Sequence, residues 1–153
     1  MKTILLVDDD EMMRMYFAVC LDSGEYAGDF AESGTAAIEA AASKKYDLIF
    51  MDYKLPDMLG SDATRQIRRG GASMEAPIIA LTGSRDCEAF FRAGINAFLQ
   101  KPVDYDALMD VMEGWTGAVT TQLQTAFGDS NGPPGDKIYD RKRFDRLVET
   151  LDS

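Results

Sequence analysis

The sequence predicts a doubly wound α/β fold: a five-stranded parallel sheet with five helices on its faces, followed by a C-terminal helical extension. Three observations carry this. Short apolar runs rich in Ile, Leu and Val alternate with segments of helical periodicity. Each connection between successive runs has room for one helix, as parallel crossovers require. The strongest run, Leu48-Ile49-Phe50-Met51, has no polar interruption, which fits a strand covered on both faces.

Ile4 to Val7 is the first strand and stops at Asp8-Asp9-Asp10. Asp10 can cap the helix from Glu11 to Leu21, with Glu11 favourable in its first turn. Met13, Phe17, Cys20 and Leu21 give that helix a buried stripe, and Ser23-Gly24 stops it. Tyr26 to Ala31 is a weaker strand, carries Asp29, and belongs near a sheet edge. Ser33-Gly34 makes the turn into an alanine-rich helix over Thr35 to Ser43. The Leu48 strand ends on Asp52, and a loop runs to Gly60. Ser61 to Arg69 reads as a helix with Ala63 and Ile67 turned inward, closed by Gly70-Gly71. Ile78 to Leu81 is a fourth strand running into Thr82-Gly83-Ser84. A helix from about Arg85 ends at Gly94, Ala97 to Leu99 is the fifth strand, and Lys101-Pro102 ends it. The last helix of this unit runs from Asp104 to about Trp115, with Leu108, Val111 and Met112 on one face.

The chain carries 26 acidic and 16 basic residues, a formal net charge of −10, which disfavours direct binding to a phosphate backbone. No apolar run is long enough to span a bilayer and the start does not read as a secretory signal, so a cytoplasmic protein is expected. Cys20 and Cys87 match no metal or redox spacing and read as two reduced thiols. The sequence contains no histidine, so acid/base work, metal binding and phosphohistidine chemistry through that residue are excluded within this chain.

Strand ends in a parallel sheet lie along one rim, where sites form. Asp8 and Asp9 follow the first strand, Asp52 ends the third, Thr82 follows the fourth and Lys101 the fifth. Clustered carboxylates raise one another's pKa unless a cation neutralises them, and oxygen-only ligands suit Mg²⁺. Lys101 supplies a point charge and Thr82 a hydroxyl, both suited to phosphoryl oxygens. Together these groups describe a carboxylate that attacks phosphorus and forms an acyl phosphate. Taken singly, each has a plainer reading: a helix cap or solvated turn for the Asp run, a turn for Lys101-Pro102, strand propensity for Thr82. Their conjunction on one rim favours the chemical reading.

Over roughly residues 1 to 117, the sequence resembles the receiver domain of bacterial two-component response regulators, a CheY-like, flavodoxin-like fold. The resemblance rests on Ile4-Leu5-Leu6-Val7-Asp8-Asp9-Asp10, on Phe50 to Gly60 around Asp52, Pro56 and Gly60, on Ala80-Leu81-Thr82-Gly83, and on Phe98-Leu99-Gln100-Lys101-Pro102. It implies that Asp52 takes a phosphoryl group from a histidine kinase or phosphotransfer protein. It implies that Asp8, Asp9, Asp52 and the backbone carbonyl of Lys54 hold Mg²⁺, and that Lys101, before a cis bond to Pro102, pairs with the phosphoryl group. It also implies a switch in which Thr82 is drawn to the phosphoryl group and the Phe98 ring fills the space vacated; the plainer reading of Phe98 is a core aromatic. Such a protein catalyses its own phosphorylation and dephosphorylation rather than turning over a substrate. Two departures from the family pattern stand out: the run from Thr82 to Gly94 is about one helical turn short, and Lys54 and Ser84 occupy positions that tune phosphoryl lifetime.

Residues 118–136, rich in Thr, Gln, Gly and Pro, read as a linker or surface loop. Residues 137–153 read as an amphipathic helix that Asp140 can cap, with Phe144, Leu147, Val148 and Leu151 on one face. It resembles the opening helix of a histidine phosphotransfer module but has no histidine. Either the chain is a receiver fragment of a longer phosphorelay protein, or this helix folds back on the receiver or pairs with a second copy in a homodimer. Three rivals share part of the pattern. A haloacid dehalogenase-type phosphatase uses an Asp-x-Asp spacing, here Asp8 and Asp10, but Met12 departs from it. A flavodoxin-like FMN binder needs a phosphate loop that three aspartates would repel. A pseudo-receiver would lack site residues, and none is missing.

Overall fold

The computed structural model describes residues 2–22, 25–83 and 88–116, and the backbone of 138–140. The elements follow the expected alternation: β1 Lys2–Val7, α1 Glu11–Leu21, β2 Tyr26–Ala31, α2 Gly34–Ser43, β3 Leu48–Asp52, α3 Gly60–Arg68, β4 Ile78–Thr82, α4 Glu88–Ala93, β5 Ala97–Gln100, α5 Tyr105–Trp115 and β6 Ile138–Asp140. The sheet order is β2-β1-β3-β4-β5-β6, and β1 to β5 are all parallel. β2 lies at an edge, as its weaker pattern suggested. The chain winds outward from β1 in both directions, so the strand order reverses between β1 and β3, where open sheets form sites.

Alternation along the strands divides the core into two layers. Leu5, Val7, Ile49, Met51, Ile78, Ala80 and Phe98 face α2, α3 and α4, where Ala37, Ala41, Ala63, Ile67, Phe90 and Phe91 meet them. On the other face, Ile4, Leu6, Phe50, Ile79, Leu81 and Leu99 meet Phe17, Cys20 and Leu21 of α1 and Leu108, Val111 and Met112 of α5. The stripes read from α1, α3 and α5 are thus the faces that are buried. Only Met13 is less deeply set, packed at the margin. Asp10 caps α1 as expected, its carboxylate accepting from Met12 N at 3.0 Å. Gly94, at φ +116°, ends the six-residue α4 in the left-handed conformation that favours glycine.

Arg68, at the end of α3, closes the bottom of the sheet. Its guanidinium donates to the carbonyls of Gly94, Met74 and Ala76 and to Asn96 Oδ1, at 2.6 to 3.0 Å. Asn96 Oδ1 in turn accepts from Ile78 N at 2.9 Å, so one side chain ties α3 to the starts of β4 and β5. Arg68→Ala leaves these carbonyls without their donor and is expected to cost about 2–4 kcal/mol. A lower urea midpoint with an unchanged slope checks this.

The sheet has a sixth strand that the sequence reading did not contain. β6 pairs antiparallel with β5, with Phe98 opposite Tyr139. At 138–140 the expected helix therefore gives way to a strand. Ile138-Tyr139 has strand propensity, and the outer edge of β5 otherwise offers unpaired backbone groups. The remainder of the expected C-terminal helix, the expected linker, Ser84 and Cys87 lie outside the described residues.

Candidate functional site

Parallel pairing brings the strand ends to one rim. Val7 is level with Met51, so Asp8 follows beside Asp52, the last residue of β3. Asp52 is level with Leu81, and Thr82, the last residue of β4, with Gln100. Lys101 comes next, its backbone N donating to Thr82 O at 2.7 Å, and the Lys101-Pro102 bond is cis, as the resemblance implied.

Asp8, Asp52 and Lys101 are in direct contact. Lys101 Nζ stands 3.0 Å from Asp52 Oδ1 and 3.3 Å from Asp8 Oδ2. Asp8 is fully buried; its other oxygen accepts from Asp10 N at 2.9 Å. Asp52 Oδ1 also accepts from Tyr53 N at 2.8 Å. Among the described residues, the hydrogen bonds to the Asp52 carboxylate, from Tyr53 N and Lys101 Nζ, both fall on Oδ1. Asp9 is exposed, yet its carboxylate joins those of Asp8 and Asp52 within 4.8 Å of one another. Three carboxylates against one ammonium leave a net negative, all-oxygen pocket. That composition fits a hard divalent cation such as Mg²⁺.

The electrostatics show the same imbalance. Burial pushes the Asp52 carboxyl above its ordinary range; the hydrogen bond from Lys101 opposes this, and the nearby charge of Asp8 adds to it. For Lys101, burial works against the ammonium, but the hydrogen bonds and charges of Asp52 and Asp8 outweigh it and its pKa is raised. Lys101 is therefore held charged, while Asp52 carries its charge reluctantly.

Thr82 and Phe98 are both buried. The Phe98 ring lies on the α2/α3/α4 side of β5, edge-on to Phe91 of α4, with ring centroids 6.0 Å apart. Lys54 stands in the loop after β3, where its backbone bridges to Leu59. Asp10, the second acid of the Asp-x-Asp spacing, spends its carboxylate on the α1 cap, which argues against the phosphatase reading. The sequence reading missed Arg14, whose Nη1 donates to Asp8 O at 3.0 Å and so steadies the acid turn. It also missed Tyr53, whose ring meets Phe90 of α4 at 5.3 Å. Arg14 was findable: it lies one helical turn after Asp10. Nothing local marks Tyr53.

A chain with this switch-point sheet and this acid-lined rim belongs to the class of doubly wound α/β domains that carry their site at the carboxyl ends of the strands. The family model described as "Response regulator receiver domain" matches residues 4–113, and the chain belongs to that family. It is 36% identical over 115 residues to the two-component response regulator ORR41 of Oryza sativa subsp. japonica, covering 71% of this chain and 89% of that protein. It is 33% identical over 151 residues to the aerobic respiration control sensor protein ArcB of Escherichia coli (strain K12), covering 97% of this chain and 19% of ArcB. The chain spans less than a fifth of the length of several curated relatives it matches. Among solved structures, the receiver domain of the sensor histidine kinase PA1611 of Pseudomonas aeruginosa PAO1, with magnesium coordinated in its active site cleft, is 34% identical. It aligns with TM-score 0.70 over 76% of this chain and 98% of that one. The receiver domain of Saccharomyces cerevisiae Ssk1, crystallised with the histidine phosphotransfer protein Ypd1, is 26% identical, with TM-score 0.69 over 76% of this chain and 89% of that one.

Proposed function

We propose that Asp52 accepts a phosphoryl group from the histidine of a kinase or phosphotransfer protein, in a Mg²⁺-dependent reaction, and that this switches a protein-interaction surface. The observation that carries the reading is Lys101 Nζ held between Asp8 and Asp52 at the rim. An Asp52 oxygen attacks phosphorus, the P–N bond to the donor imidazole breaks, the imidazole keeps the electron pair and takes up a proton, and an acyl phosphate remains. Lys101 moves from neutralising the carboxylates to neutralising the incoming phosphoryl oxygens. Asp8, Asp9, Asp52 and the Lys54 carbonyl would hold Mg²⁺, which when bound screens charge between the carboxylates and the phosphoryl group. Thr82 and Phe98 form the switch: a hydroxyl drawn toward the phosphoryl group on β4 frees space for the ring on β5. Magnesium in the PA1611 receiver and the Ypd1 complex of the Ssk1 receiver support this reading by likeness.

No helix among the described residues is long and apolar enough to cross a membrane, and we place the protein in the cytoplasm. Residues 1–117 would be the receiver, 118–136 a connection and 137–153 an appendage, and no part of this scheme calls for nucleic acid.

Incubation with acetyl phosphate and Mg²⁺ is expected to add one alkali-labile phosphoryl group, read by mass, and chelation of Mg²⁺ to prevent it. An unlabelled protein under both conditions overturns the proposal. The docking face follows from α1. Met12, Met15 and Val19 share one face of that helix, just after the acid turn, and are 71%, 58% and 77% exposed. Beside them a groove of about 430 Å³ lies between α1 and β2, lined by Val19, Leu21, Tyr26 and Phe30. An exposed apolar helical face that begins directly after the Asp8–Asp10 turn suits a phosphohistidine-bearing helix. Met15→Glu is expected to slow transfer from a protein donor about tenfold, while leaving labelling by acetyl phosphate unchanged. Equal slowing of both reactions would rule out a docking role.

A further inference from the structure

The loop between β3 and α3 is fastened twice. Its neck is closed by Gly60 N donating to Tyr53 O at 2.6 Å, by Leu55 N donating to Met58 O at 3.1 Å, and by the bridge between Lys54 and Leu59. Gly60 presses on the carbonyl of Asp52 with no room for a Cβ. The tip is fastened elsewhere, on the first turn of α2. Asp57 Oδ1 accepts from Gly34 N at 2.8 Å, and Oδ2 accepts from Thr35 N at 2.9 Å and from Thr35 Oγ1 at 2.6 Å.

This is more than helix capping. Ser33 already caps α2, its Oγ accepting from Ala36 N at 3.1 Å, so Asp57 takes the remaining first-turn donors from outside the helix. Met58 independently packs over Gly34, in the space where a side chain would stand. The three donors pull the Asp57 carboxyl down to about 2, so it is charged at any working pH and matches the positive end of the helix.

We propose that Asp57 is a positioning residue for the site: by holding the loop tip on α2, it sets how Lys54 presents its backbone carbonyl to a divalent cation bound at Asp8, Asp9 and Asp52. This rests on the reading of the carboxylate cluster as a Mg²⁺ site. Lys54 lies in the neck itself, and its carbonyl shares a peptide plane with Leu55 N, which donates to Met58 O beside Asp57, so the carbonyl turns only if that bond shifts with the tip. Magnesium tolerates little angular error in its oxygen ligands. With Asp57 released from α2, Met58 loses the anchor beside it, the Leu55–Met58 bond must be re-ordered when the cation binds, and that cost appears as weaker binding.

Calorimetric titration of Mg²⁺ into the full chain, well below its melting midpoint, tests this. Asp57→Ala is expected to weaken Mg²⁺ binding by about three- to tenfold, near the lower limit for outer groups that orient metal ligands. Asp57→Asn, which keeps one acceptor for Gly34 N, should fall between. The Lys54 carbonyl carbon resonance should shift on Mg²⁺ addition in the wild type and less completely in Asp57→Ala. Should Asp57→Ala fail to fold, Thr35→Val removes one donor and must weaken Mg²⁺ binding in the same direction by a smaller factor. A lowered melting midpoint in chelator with an unchanged Mg²⁺ affinity would assign Asp57 a purely structural role and overturn the inference. A wild type that binds no Mg²⁺ would instead overturn the reading of the carboxylate cluster on which it rests.

Discussion

Asp52→Asn is expected to abolish phosphoryl labelling and to raise the melting midpoint of the same protein. Asparagine cannot form the acyl phosphate, yet it keeps the shape and the acceptor for Tyr53 N. The stability gain follows from the raised pKa. Burial, with Asp8 as a further cause, disfavours the charged carboxylate in the folded state relative to the open chain. Between the ordinary carboxylate pKa and the raised folded value, the fold binds more protons than the unfolded chain, so stability from this group is present below that window and lost as pH rises through it. The asparagine variant is free of that loss. Its advantage should be largest near neutral pH in chelator, on the order of the 2–8 °C that about 1 kcal/mol gives in a domain of this size. It should narrow on acidification, as wild-type Asp52 takes up its proton, and with Mg²⁺, which binds the wild-type fold. Thermal melts at several pH values check this. A lower midpoint for the variant at neutral pH would mean that the Lys101 bond outweighs burial and Asp8, and labelling equal to the wild type would move the nucleophile elsewhere.

The features legible in the sequence were those that repeat along the chain. Leu48 to Met51 and Ile78 to Leu81 are uninterrupted because both faces of β3 and β4 are covered, and that pattern alone located the central strands. The rim site was legible for the same reason: once strand ends are known, parallel topology places Asp8, Asp52, Thr82 and Lys101 together. What escaped depends on approaches between distant segments. Nothing in Pro56-Asp57-Met58 says that it will meet Gly34 and Thr35, because that contact exists only once α2 has packed against α3 and β2. β6 escaped because a short strand is defined by the open edge it meets. On α1 the buried stripe was read, but Met12, Met15 and Val19 are apolar too. Periodicity marks the face that packs; it does not show that the opposite face is apolar and stays exposed.

Lys101→Met should have the next largest effect, because among the described residues Lys101 supplies the only ammonium in contact with Asp8 and Asp52. Phosphorylation by acetyl phosphate is expected to fall by about 10²-fold, the loss typical of removing one preorganised charge from a developing anionic centre. The pH profile distinguishes this from a loosened fold. Lys101's hydrogen bond holds the Asp52 pKa down against burial and Asp8. Without it the pKa climbs further, so the variant loses activity at a higher pH than the wild type as the solution is acidified. Removing one partner of a largely buried pair also destabilises the fold, here by about 2–3 kcal/mol, less than for a fully enclosed pair because the lysine side chain is 29% exposed. The same physics predicts that Asp52→Asn added to Lys101→Met recovers part of that loss, since it removes a carboxylate left without its cation. If the double variant were no more stable than Lys101→Met alone, charge imbalance at the rim would not be the cause, and the lysine's aliphatic packing against the strand ends would have to carry the effect.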